Sequence, residues 1–225
     1  SSKFFKYVFS NFNNGLAALP RKGMQAIPDQ LFNKLDSERV IIGQSVVNID
    51  DSKNVTLDDG IIIKGNRLIL SGDSTNLVDG EKGEYNAVKT MYFSTQNDII
   101  NGEYIHLYPK DNIINNVAIP TYLSESYSKN SDHLISLTIL ESEASEIEMV
   151  KDIKGRLSKY YGGGPNSYEF LRSINIKTGT LRQPKGHFNR SQKNSEDNIY
   201  MIGEKVTNGS IEGAVVAGLN VIDEF

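Results

Sequence analysis

The first hydrophobic positions of the chain, Phe4, Phe5, Val8, Phe9 and Phe12, fall at i, i+4, i+8 spacing and predict an amphipathic helix over residues 3 to 12, closed by Gly15. A Pro- and Gly-bearing loop, Leu19 to Pro28, follows, and Pro28-Asp29 opens a short helix through Leu35. From Val40 the period changes to two. Val40–Ile42, Val46–Ile49, Val55–Leu57, Ile61–Ile63 and Arg67–Leu70 read as short strands, with Asp58-Asp59-Gly60 as a hairpin turn. The polar, Gly- and Asp-rich stretch Ser71 to Glu84 predicts a linker.

Beyond it, Val88–Thr95, Tyr104–Tyr108, Ile113–Ile119 and Leu134–Leu140 predict an antiparallel sheet. One long helix follows, with Ser145 and Glu148 as its capping box. Ile147, Val150, Ile153, Leu157 and Tyr160 form its apolar repeat, and Gly162-Gly163-Gly164-Pro165 is its stop. Tyr168–Ile176 reads as a strand leading into a basic loop, Thr178 to Ser195, which carries Arg182, Lys185, Arg190 and Lys193 without an acidic residue. The last segment is a short apolar strand, a polar loop from Gly203, and a helix of small residues after Gly209-Ser210. The fold class expected is mixed α/β.

Composition narrows the chemistry. With 28 acidic and 24 basic residues the net charge is −4, without the basic excess that a nucleic-acid binder turns on phosphates. The absence of Cys excludes thiolate chemistry, and three His at 106, 133 and 187 are too scattered for a local ligand pair, so no metal site is expected. No stretch approaches the roughly 18 to 20 apolar residues that span a bilayer, which reads as a cytoplasmic chain. The start at Ser1, running at once into an amphipathic pattern, reads as a cut within a larger protein.

The C-terminal segment carries the candidate site. A helix opening at Gly209-Ser210 presents unpaired N–H groups with roughly half a positive charge, an anion and dipole site. Gly213, Ala214, Ala217 and Gly218 allow close approach of a backbone or a flat ligand, and the Glu204 carboxylate at the strand's end is placed to accept sugar hydroxyls. An ordinary strand-loop-helix with a small-residue packing face carries the same pattern.

The run Ile202-Gly203-Glu204, then Asn208-Gly209-Ser210-Ile211-Glu212-Gly213-Ala214-Val215-Val216-Ala217-Gly218, resembles the C-terminal flavin signature of the amine oxidase and phytoene desaturase-like superfamily of FAD-dependent oxidoreductases. Leu19-Pro20, Gly23-Met24 and Ile27-Pro28 are similar to that family's flavin-proximal loop, and Val46 to Leu70 to its middle strands. The resemblance implies FAD as cofactor. It gives cofactor-binding roles to Gly23, Met24, Gly203, Glu204, Gly209, Ser210, Ile211, Glu212 and Gly213, and a backbone contact to the adenine for Val46, with Val47 as the one-residue alternative. It singles out no catalytic side chain. Tyr160, Tyr161 and the Tyr at 85, 92, 104, 108, 122 and 127 line an aromatic cavity on one reading and serve as sheet core on the other.

One departure is large. Relatives begin with a βαβ unit whose Gly-x-Gly-x-x-Gly turn cradles the pyrophosphate, and none of the 19 Gly here has partners at +2 and +5; Gly162 and Gly164 come nearest, with Ser167 in the third place. The chain therefore reads as the C-terminal part of a flavoprotein without its dinucleotide-binding βαβ unit. Expected organisation is 1–35 and 76–196 on the substrate side, with 36–75 and 197–225 on the FAD side. The expected partners are an N-terminal Rossmann half, in the same or a separate chain, a small apolar substrate and, through the uncovered surface, further copies of the chain. The alternative function is a binding or structural module that keeps the fold without the cofactor.

Overall fold

A computed structural model of the chain describes residues 2, 5, 6, 9, 10, 15, 18–79, 84–140, 144–183 and 198–222. The described residues form two units: unit 1 comprises Ser1–Arg39 and Lys89–Ile174, and unit 2 comprises Val40–Val88 and Asn175–Phe225. Of the N-terminal helix expected over 3 to 12, Phe5, Lys6, Phe9 and Ser10 are helical, while Phe4, Val8 and Phe12 lie outside the described residues.

In chain order the elements are α1 (Ala26–Phe32), β1 (Val46–Ile49), β2 (Asn54–Leu57), β3 (Ile62–Lys64), β4 (Leu68–Ser71), α2 (Asn76–Asp79), β5 (Tyr85–Thr95), β6 (His106–Leu107), β7 (Ile114–Ala118), β8 (His133–Ile139), α3 (Glu146–Tyr161), β9 (Glu169–Leu181), β10 (Ile199–Ile202) and α4 (Ile211–Ile222). This is the mixed α/β class expected. A five-stranded sheet has the order β6-β7-β8-β5-β9, and the unit boundaries fall within β5 and β9.

Unit 1 owes its core to alternation. Met91 and Phe93 of β5 lie opposite Leu137 and Ile135 of β8, and all four are fully buried. In β7, Ile114 and Val117 both face inward although three positions apart, because an irregularity in the register between Ile114 and Asn116 inserts the residue that returns the strand to phase. Helix α3 closes the core with Met149, Ile153 and Leu157, one face at i, i+4, i+8. Each such side chain contributes ~1.5–3 kcal/mol on burial. The expected capping box is present: Ser145 Oγ accepts from Glu148 N and the Glu148 carboxylate accepts from Ser145 N, while Gly162 ends the helix at φ +83°. Ile147, expected on the apolar face, is 84% exposed, and Met149 takes that place.

Unit 2 holds a three-stranded antiparallel sheet, β1-β2-β3, and a parallel pair, β10 with β4. The expected hairpin turn is confirmed by Gly60 at φ +86°, with Gly60 N donating to Leu57 O. Val40–Ile42 is not a strand; Gly43 turns the chain at φ +80° before β1 can pair, leaving Ile41 and Ile42 exposed. Tyr104–Tyr108 is reduced to His106–Leu107, since residues 101 to 103 form a turn. The expected linker contains helical turns at Gly72–Thr75 and Asn76–Asp79, and Thr75 is buried with its hydroxyl donating to Gly72 O. The basic loop begins as strand, and Arg182 pairs with Glu84 at 3.2 Å; Lys185, Arg190 and Lys193 lie outside the described residues. Among the described residues no helix is long and apolar enough to cross a membrane.

Candidate functional site

Strand β10 runs parallel to β4, so its carboxyl end and that of β4 finish side by side, Ile202 opposite Ser71. Gly203 then leaves the strand at φ +104°, a left-handed conformation that favours glycine, and a Cβ there would meet Ser71 Oγ at 3.4 Å. Val206 N donates back to Gly203 O. Thr207 Oγ1 lies 3.0 Å from Gly203 O and 2.9 Å from Gly213 O, tying the loop's start to the first turn of α4.

The helix start is built by two polar residues. Ser210 is the N-cap: its Oγ accepts from Gly213 N at 2.9 Å, its carbonyl accepts from Ala214 N, and its hydroxyl donates to the Asn208 side chain. Ile211 and Glu212 are thus the first two helical residues, whose N–H groups have no partner within a helix. Gly213 is required for a different reason than conformational freedom. A Cβ on it would stand 2.4 Å from the Asn208 carbonyl oxygen.

Two side chains converge on Gly209. A Cβ there would lie 3.0 Å from Gln183 Nε2 and 3.8 Å from Glu204 Oε2. Gln183 Nε2 is buried and has no hydrogen-bond partner among the described residues, an orphaned donor beside a helix N-terminus. Lys205 Nζ donates to Thr75 Oγ1 at 2.9 Å and to the Asn76 side chain.

Val46, Gly203, Glu204, Gly209, Ser210, Ile211, Glu212 and Gly213 all belong to unit 2, with Val46 half-buried and paired to Leu57 in the β1-β2 ladder. Gly23 and Met24 belong to unit 1. There Gly23 turns at φ +88°, and the preceding loop is anchored by Tyr127 Oη donating to Pro20 O and Ser126 Oγ donating to Arg21 O, each at 2.5 Å. Gln183 and Thr207 stand outside the residues that the sequence singles out, and Asn208 stands in the motif without a role assigned to it. Thr207 and Asn208 act through side-chain contacts that follow only from the loop's path, and Gln183 lies 19 residues before the motif's first residue, Ile202.

The tyrosines divide. Tyr104, Tyr108, Tyr160 and Tyr161 line a cleft in unit 1, whereas Tyr122 packs against the core and its hydroxyl oxygen accepts from Ile99 N at 2.7 Å.

No protein-family model matches the chain, and no curated protein sequence does. Solved structures do. A reduced UDP-galactopyranose mutase matches at TM-score 0.74 and 14% identity over 92% of this chain and 51% of the mutase. A protein from Pyrococcus furiosus matches at 0.63 and 14% over 91% and 52%, and an oxidoreductase from Methanosarcina mazei at 0.56 and 16% over 80% and 49%. The chain shares the fold of these structures over most of its length. It spans about half the length of the structures it matches, and at these identities the likeness is one of fold.

Proposed function

We infer that the chain is the C-terminal part of a flavin-dependent oxidoreductase of the amine oxidase and phytoene desaturase-like superfamily, acting in the cytoplasm on a small apolar substrate. The observation that carries this reading is the loop Gly203–Gly213. On a flavoprotein fold, it brings a capped helix N-terminus, a carboxylate and an orphaned amide donor to one place.

The residues present fit one side of an FAD site. The N–H groups of Ile211 and Glu212, with the dipole of α4 behind them, stabilise negative charge through backbone alone. Gln183 Nε2 supplies a donor to a carbonyl or ring nitrogen, and Glu204 accepts sugar hydroxyls. Gly209 and Gly213 keep the backbone open to close approach. Bound FAD supplies the hydride acceptor for a substrate C–H. Nothing in the chain supplies the pyrophosphate turn, so that part of the site falls to an N-terminal Rossmann half in the same or a separate chain. Each charge-assisted hydrogen bond lost with that turn is worth ~1.5–3 kcal/mol, and the chain alone binds FAD weakly or not at all.

Ile211→Pro in the protein joined to its N-terminal half tests the role of the helix start. Proline is tolerated at this first helical position and deletes one N–H. The expected outcome is a folded protein whose flavin reduction potential is lowered; an unchanged midpoint in a spectroelectrochemical titration removes Ile211 from the site.

The mutase likeness favours a second reading, a rearrangement of the substrate without net oxidation. Consumption of an electron acceptor in step with product supports oxidation, and product formed without it supports rearrangement.

A further inference from the structure

Unit 1 carries a cleft of about 500 Å³, in the size range of small-molecule sites, bounded by Ile100, Asn101, Tyr104, His106, Tyr108 and Tyr161. Its polar groups form one directed chain. His106 Nε2 lies 2.8 Å from the Asn101 carbonyl oxygen, which can only accept, so Nε2 carries a proton. In the neutral ring Nδ1 is then an acceptor, and Tyr161 Oη donates to it at 2.7 Å. Tyr108 Oη donates in turn to Tyr161 Oη at 2.8 Å. Burial, then the hydrogen bond with Tyr108, hold the Tyr161 phenol well above its ordinary range, so it remains a donor. At the head of the chain the Tyr108 oxygen has its proton committed and its lone pairs left to accept.

The surroundings set the rest of the chemistry. Among the described residues no Lys, Arg, Asp or Glu lines the cleft, and the Arg156 guanidinium on the same helix as Tyr160 and Tyr161 is engaged by Asp111 at 2.7 Å, Asp152 at 3.0 Å and Asn112 at 3.1 Å. A charged ligand therefore finds no counter-ion. The Tyr108 ring is fixed by stacking on Tyr160, centroids 4.2 Å apart. Ile100 and Tyr104, 84% and 63% exposed, form an apolar wall left in water.

That wall is held in place. Asn101 adopts φ +56°, unusual for a residue with a side chain, and its carbonyl is fixed by Tyr104 N and His106 Nε2. The next residue, Gly102, lies so close to the Tyr122 ring that a Cβ would be 2.4 Å from it.

We propose that this cleft binds a small neutral phenol, its ring against Ile100 and Tyr104 and its hydroxyl donating to the Tyr108 oxygen. An aromatic ring suits an aromatic and aliphatic wall through offset packing, and a single donor suits a chain that ends in an acceptor. The inference rests on unit 1 alone and stands whether or not the flavin reading does.

Titration of the 225-residue chain with 4-methylphenol and with 4-methylanisole, followed by NMR, tests it. The two probes share ring and methyl group, and only the first can donate. The expected result is saturable perturbation of Ile100, Tyr104 and His106 resonances by 4-methylphenol, with 4-methylanisole about 3- to 10-fold weaker, the range of one net hydrogen bond. Tyr108→Phe keeps the stacked ring and is expected to abolish that difference. Equal affinities for the two probes in the wild-type chain, perturbations that map elsewhere, or tighter binding of methyl galactoside at the same residues overturn the proposal.

Discussion

Asp111 shows how one buried side chain organises a loop and a helix. Its carboxylate is 2% exposed, accepts the N–H groups of Ile113 and Ile114 and the Tyr160 hydroxyl, and pairs with Arg156 at 2.7 Å. Burial pushes its pKa up, and the hydrogen bonds from Tyr160, Ile114, Arg156 and Ile113 outweigh that and hold it well below the ordinary carboxylate range. A carboxyl depressed in the folded state contributes stability that is present above its unfolded pKa of about 3.9 and is lost as pH falls toward the folded value. Asp111→Asn is expected to cost on the order of 2–3 kcal/mol at pH 7. The gap between wild type and variant in urea melts narrows as the buffer is taken from about pH 5 toward pH 3. A gap independent of pH would contradict this account. Glycine gives a second comparison at this scale. A Cβ at Gly155, inside α3, meets nothing within 4 Å, so Gly155→Ala is expected to stabilise by roughly 0.5–1 kcal/mol. Gly213→Ala drives a methyl into the Asn208 carbonyl and is expected to destabilise by about 1–3 kcal/mol. Thermal melts of the two variants should move in opposite directions.

At the scale of elements, what the sequence made legible was local. The capping box of α3, the Asp58-Asp59-Gly60 hairpin and the strand-loop-helix from Ile199 to Ile222 each depend on residues a few positions apart, and each formed as expected. Val40–Ile42 has the apolar content of a strand, but a strand needs a partner in register, and the turn at Gly43 withholds it. Ile147 was misread because its neighbours fix the helix face: Met149, Ile153 and Leu157 meet the sheet, and Ile147 lies off that face. The polar stretch after Ser71 reads as linker by composition. Lys205, 130 positions away, bonds Thr75 within it, a contact no local pattern contains. In the candidate site the glycines and Ser210 were legible from the motif, while Gln183 and the contacts of Asn208 with Gly213 and Ser210 follow only from the loop's path.

For the whole molecule, the surface of unit 2 is as informative as its core. Helix α4 buries Gly213, Ala217 and Val221 and exposes Ile211, Val215, Leu219 and Ile222. The β1–β3 sheet exposes Val47, Ile62 and Ile63. Apolar surface of this extent in water favours association. The isolated chain is expected to self-associate in sedimentation velocity as concentration rises, and Leu219→Lys with Val215→Lys to weaken that association. A chain that stays monomeric at high concentration would show that these faces need no cover.

The proposed function has the chain supply one side of a flavin site and an N-terminal half supply the pyrophosphate side. The most direct measurement is flavin content, read from visible absorbance after gel filtration, of the chain alone and of the chain joined to its N-terminal dinucleotide-binding half. The expected result is a colourless isolated chain and a yellow joined protein carrying about one flavin per polypeptide. A colourless joined protein that is folded, or stoichiometric flavin on the isolated chain, would contradict it.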